Sequence, residues 1–246
     1  MTPETAPLAA GDAATLAPSP RVVLREWLGF LRRPAVLTPS GLRTRAAWRA
    51  LCVLLLVHLA GMLLVILPVI ALWQRQFALP MPDAFGKLPD GWLLPITILI
   101  APVLEEMIFR GWQRGRPRAL WLLACFAALV ILLAKAGDLA PKGAAGALAA
   151  LIVLALGGWL WLRKRPTRML YRHAYPATFW LVALTFAGFH LMNYPATTWL
   201  SLPMVLPQLW AALLLGFTRQ RLGLPAAMLQ HAAANAASMA LAAAGG

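Results

Sequence analysis

Two adjacent glutamates and an arginine stand in "LIAPVLEEMIFRGW", residues 99–112, a stretch otherwise apolar enough to cross a bilayer. Of the eight acidic residues in the chain, only Glu105 and Glu106 fall inside an apolar run. An ionisable group at the centre of a span costs about 2.5–3.5 kcal/mol on insertion scales. Such residues mark either a functional site or a buried ion pair that fixes helix packing, and both readings fit this segment. Helix geometry separates the three charges. Glu106 and Arg110 are four residues apart and share a face, so they can neutralise each other. Glu105 is turned about 100° from Glu106 and has no partner within the helix. A carboxylate placed in that way suits a general base.

Two other apolar runs carry imidazoles. In "FAGFH", Phe186 and His190 lie one turn apart on one face. In "LQHAAANAAS", His231 and Asn235 also lie four apart. A carboxylate, two imidazoles and an amide on three helices could line a single cavity. Among the chemistries such a set could serve is amide hydrolysis, which needs a base for water and donors aimed at the developing oxyanion. The Asn amide donates without adding charge, and a neutral His can donate from one nitrogen. His58, in "LVHLAG", is read as a helix–helix hydrogen bond, the common role of a lone His in a span.

The order Glu-Glu-x-x-x-Arg, Phe-x-x-x-His, His-x-x-x-Asn resembles the CAAX-protease and bacteriocin-processing (CPBP, or Abi) superfamily of intramembrane proteases. Glu105, Glu106 and Arg110 match the first motif, Phe186 and His190 the second, His231 and Asn235 the third. Each motif alone is weak; all three in order, each in a predicted span, are more specific. The resemblance covers about residues 92–243 and implies peptide-bond hydrolysis within the membrane. It implies that Glu105 and His190 activate water and that His231 and Asn235 hold the oxyanion. Glu106, Arg110 and Phe186 support them.

Zinc is the rival mechanism, with Glu105, His190 and His231 as ligands and water in the fourth place. The chain lacks the compact His-Glu-x-x-His motif. It also has no spare carboxylate to act as base if Glu105 binds metal and Glu106 pairs with Arg110. A metal-free glutamate mechanism without cofactor is therefore preferred. Two readings of other classes remain: a non-catalytic immunity or scaffold protein, and a proton relay or transporter. The retained motif residues argue against the first, and the lack of an internal repeat against the second.

The elements that must position these residues are apolar. The chain of 246 residues is 61% hydrophobic and 12% charged. Spans need about 20 apolar residues, and only helices or closed barrels satisfy the backbone in lipid. Period-two alternation is absent, so the fold class is all-α, a polytopic transmembrane bundle. Seven spans are predicted over 49–73, 92–112, 119–134, 144–162, 177–193, 201–217 and 223–243. Residues 1–20 read as a disordered tail, 21–48 as an interfacial amphipathic segment, and 49–243 as the transmembrane domain. Within 22–37, Leu24, Leu28 and Leu31 share a face, flanked by Arg25, Arg32 and Arg33, as in a helix lying in the interface.

The net charge of +14 is a topology signal rather than a nucleic-acid footprint. Seventeen Lys and Arg fall before the first span or in alternate loops, against Arg75, Lys87, Lys135 and Lys142 on the other side. This places the N-terminus in the cytoplasm and assigns Arg114, Arg116 and Arg118 to topology. Partners are then the lipid bilayer and a membrane-embedded peptide or protein substrate, in a bacterial inner membrane. Cys52 and Cys125 sit in apolar runs and suggest neither disulfide nor metal. One tension remains. With these boundaries Glu105 and His231 lie about 10 and 12 Å from their cytoplasmic helix ends, and His190 nearer 20 Å from its own.

Overall fold

A computed structural model describes residues 19–83 and 91–244. The described residues are helical, with no strand. The reading of residues 1–20 as a disordered tail falls almost wholly outside them.

Helix starts follow local chemistry. Helix α1 (Pro20–Arg32) opens with Pro at its first position, where a missing N–H costs nothing. Helix α2 (Arg45–Gly61) is capped by Thr44, whose side chain accepts from the Ala47 N–H. A π-helical turn, Met62–Ile66, joins it to α3 (Leu67–Phe77). Arg45–Phe77 is thus one continuous helix of 33 residues. Residues 95–110 form the segment that carries the glutamates. It runs as a π turn (Pro95–Ile100), a short helix α4 (Ala101–Glu105) and a second π turn (Glu106–Arg110). Helices α5 (Pro117–Ala134) and α6 (Pro141–Leu162) both open on Pro. Helix α7 (Met169–Phe189) ends in a 3-10 turn, His190–Asn193. A further 3-10 turn, Trp199–Val205, leads into α8 (Leu206–Arg221). Only Leu222 and Gly223 separate α8 from α9 (Leu224–Ala244). Gly223 takes φ of +106°, which a side chain would strain.

Five of these helices are long and apolar enough to cross a membrane: Arg45–Phe77, Pro117–Ala134, Pro141–Leu162, Met169–Asn193 and Trp199–Arg221. The protein is an integral membrane protein. The other two predicted spans are helical over 95–110 and Leu224–Ala244. They are the two that carry the glutamates, His231 and Asn235.

Helix α8 lies at the centre and touches α1, α2, α7 and α9. Gly216 lets the Phe179 ring of α7 come against it. Phe30 of α1 fills the space between Tyr175, Phe179 and Phe217, with ring centroids 6.5, 5.1 and 5.2 Å away. Trp27 meets Trp210 edge-on at 5.5 Å, a favoured aromatic geometry. The buried face of α1 is therefore Val23, Trp27 and Phe30. Leu24 and Leu31, on the leucine face noted in the sequence, flank this core, and Leu28 stays exposed.

Helix α7 starts at Met169, eight residues before the predicted 177. The sequence suggests a boundary at Pro176, yet the turns before it are held from outside. Tyr175 is fully buried, and the Tyr171 hydroxyl donates to the Gln113 carbonyl at 3.1 Å. Helices α5 and α6 pack on each other, with Trp121 Nε1 donating to the Leu154 carbonyl. Neither helix has a buried residue.

Candidate active site

The glutamates are held by the fit of α9 against residues 95–110. Glu106 is fully buried, and its Oε1 accepts from Arg110 Nη1 at 2.5 Å. The same oxygen accepts from His231 Nδ1 of α9 at 3.0 Å. The other ring nitrogen, His231 Nε2, lies 3.7 Å from Glu105 Oε2. One imidazole thus spans both carboxylates. Glu105 is 29% exposed, against 0% for Glu106, so Glu105 is the carboxylate an incoming molecule can reach. Its Oε2 has no hydrogen-bond partner. The split read from the helix wheel holds: Glu106 pairs with Arg110, and Glu105 has no partner on its own helix.

Phe186 organises the other side. Its ring lies 4.9 Å from that of His190 and 6.1 Å from that of His231. The Arg110 guanidinium stacks over it at 4.5 Å, a cation–π contact that helps hold a buried cation. Phe109 closes edge-on at 5.1 Å. The His190 Nδ1 lies 2.8 Å from the Phe186 carbonyl. A carbonyl only accepts, so Nδ1 is the donor in this contact and Nε2 is left to face elsewhere.

Phe186 links the two sides, since the Arg110 guanidinium lies over its ring and His190 lies one turn further along the chain. His190 makes no ion pair with either glutamate among the described residues.

Asn235 lies one turn beyond His231 on α9. Its Nδ2 donates to the Thr97 carbonyl at 2.8 Å, inside the first π turn. Thr97 in turn donates to the Leu93 carbonyl at 2.6 Å. Asn235 thereby ties α9 to the glutamate-bearing segment and keeps one amide hydrogen over.

A model of the type II CAAX prenyl endopeptidase Rce1-like family matches residues 87–237, well over half of the chain. The chain belongs to that family. All seven motif residues of this Rce1-like protease fall inside the matched range. No curated protein and no solved structure matches it.

Two further buried residues near this cluster were given no part in it by the sequence reading. His58 is buried, and its Nδ1 has no hydrogen-bond partner. It lies within electrostatic range of His231 and Arg110. Among the described residues its side chain makes no hydrogen bond, where the sequence suggested a helix–helix one. Its backbone carbonyl accepts from Trp210 Nε1 at 3.0 Å instead, and Gly61 leaves room for that ring. Arg219, also buried, donates from Nε to the Arg110 carbonyl at 2.9 Å and from Nη2 to the Gly111 carbonyl at 3.3 Å. It caps carbonyls that a helix leaves open at its C-terminus, where a cation also meets the helix dipole favourably. A lone His and a loop-proximal Arg carry no spacing signal that would have found them. For the zinc reading, no group of three or more His, Cys, Asp or Glu able to hold a metal occurs among the described residues.

Proposed function

We propose that this protein is an intramembrane endopeptidase that cleaves a membrane-embedded peptide or protein tail by water activation at Glu105 and His190, without a resident metal. The observation that carries the reading is His231, which reaches Glu106 through one nitrogen and Glu105 through the other. Three motifs on three helices meet there, with Phe186 between the two imidazoles.

Charge counting gives the chemistry. Glu105 and Glu106 are two negative charges and Arg110 one positive. A proton on His231 completes a neutral cluster, which suits a site in lipid. Water attacks the scissile carbonyl and gives its proton to Glu105, with the His190 Nε2 lone pair orienting it. The carbonyl π electrons move to oxygen. As Glu105 becomes neutral, the His231 Nε2–H turns to that oxyanion, joined by the spare Asn235 N–H. Collapse of the intermediate breaks the C–N bond, and Glu105 returns the proton to the leaving amine. Glu106 and Arg110 hold His231 and Phe186 throughout.

The seven-span topology with a cytoplasmic N-terminus belongs to the same proposal. It is supported by the helical state of both less apolar segments. The family name makes a prenylated CAAX tail the first substrate to test. The assay is cleavage of a farnesylated CAAX-ended peptide in vesicles made up in ¹⁸O-water. One ¹⁸O enters the new carboxylate of the cleaved peptide, and 1,10-phenanthroline leaves the rate unchanged. Glu105→Gln and His190→Ala each lower the rate about 10²–10⁴-fold. Full activity in either variant defeats the assignment, and inhibition by the chelator moves the mechanism to metal.

A further inference from the structure

At the end of the 95–110 segment remote from Thr97, a cavity of about 130 Å³ is lined by Gly111, Trp112, Arg114, Arg116, Arg118 and Arg219, with Ala119 at its edge. Four guanidinium groups share this wall with no carboxylate. None of them forms an ion pair among the described residues. Arg219 is 7% exposed and spends two donors on neutral carbonyls. The Arg114 Nε is buried without a partner. Burial, then the charges of Arg116 and Arg172, hold the Arg114 guanidinium below the usual arginine range. The turn that gathers these side chains is specific. Gly115 takes φ of +64°, and any side chain there would collide with Tyr171. Like charges gathered this closely, partly out of water, are unfavourable until an anion joins them.

What continues from the cavity identifies the anion. Arg118 lies in the first turn of α5, and Leu122, Phe126 and Val130 follow it at four-residue steps, each 41–50% exposed. This apolar stripe runs about 18 Å down the helix, comparable with an acyl chain. Basic pockets among transmembrane helices at the membrane boundary are the usual seat of anionic headgroups. We propose that the cavity binds the phosphate of an anionic phospholipid, with an acyl chain lying along Leu122, Phe126 and Val130 of α5. The bound headgroup would neutralise the Arg219 end of the segment that carries Glu105 and Glu106, outside the reacting groups themselves.

The test titrates the detergent-purified full chain with dioleoyl phosphatidylglycerol, dioleoyl phosphatidylcholine or inorganic phosphate, read by native mass spectrometry and by the unfolding midpoint. Phosphatidylglycerol binds and raises the midpoint, while phosphatidylcholine does neither. Arg118→Gln weakens phosphatidylglycerol binding about fivefold, and the Arg116→Gln/Arg118→Gln pair about thirtyfold. Arg118→Lys, which keeps the charge, stays within about twofold of the wild type. Equal phosphatidylglycerol binding by wild type and the double variant overturns the proposal. If inorganic phosphate alone reproduces the midpoint rise with the same variant sensitivity, the cavity is a free-anion site and the lipid assignment falls. It falls too if a peptide with a free C-terminal carboxylate, and not phosphatidylglycerol, shows that sensitivity.

Discussion

Replacing each of the two adjacent glutamates by glutamine separates a structural carboxylate from a chemical one. Glu106 is fully buried and is the charged partner of Arg110, itself 1% exposed, while also accepting from His231. Glu106→Gln leaves a buried guanidinium without a counter-charge. Breaking a buried pair on one side costs about 3–5 kcal/mol. At about 2–4 °C per kcal/mol for a chain of this size, the unfolding midpoint falls by about 6–20 °C. Glu105 makes no hydrogen bond among the described residues, is 29% exposed, and stands 3.7 Å from the imidazole. A partly exposed pair of that kind contributes under about 1 kcal/mol, so Glu105→Gln moves the midpoint by at most about 4 °C. The measurement is thermal unfolding in detergent by intrinsic fluorescence, which the 11 tryptophans report, run beside peptide cleavage. Glu105→Gln should keep its midpoint and lose cleavage; Glu106→Gln should lose both. Equal midpoint shifts in the two variants would refute the division of roles.

Asn235→Ala removes the proposed oxyanion donor and the tie to Thr97, so kcat should drop about 10²–10³-fold with KM moving less, as initial rates will show. Gly115→Ala forces a side chain onto the Tyr171 ring at a positive φ and should cost about 1–3 kcal/mol by denaturant or thermal unfolding. Arg221→Ala breaks the pair with Glu26 at 2.6 Å, whose side chains are 20% and 43% exposed. That loss should stay below about 1 kcal/mol and shrink further at high salt.

The readable parts of the site share one property: their partners are four residues apart. Glu106 with Arg110, Phe186 with His190 and His231 with Asn235 all follow from helical spacing alone. Apolar run length likewise made the helical class legible. What could not be read depends on distance across helices. The Thr97 carbonyl that receives Asn235 is a backbone atom 138 residues away in sequence. It sits in a π turn that a 3.6-residue period cannot reveal. His58 stands alone in an apolar helix, so nothing in its neighbourhood distinguishes it from a packing residue. The start of α7 was misjudged because Pro176 suggests a boundary, while Tyr171 and Tyr175 are held by groups on other elements. The buried face of α1 was not legible either, because Val23, Trp27 and Phe30 turn inward toward rings on other elements.

The hairpin of α5 and α6 leaves the bundle and returns to nearly the same point. Thr167, just after it, donates to the Arg114 carbonyl, just before it, at 2.9 Å. Since neither helix buries a residue, the hairpin behaves as an insertion whose two ends are already joined. A version lacking residues 117–162, closed by a short glycine linker, keeps every motif residue and the aromatic core around Phe30. Such a minimal protein separates the bundle that carries the motif residues from the hairpin that carries the proposed lipid-binding stripe. It also marks the hairpin as a place where an affinity tag or a fluorescent domain can be carried without touching the glutamates.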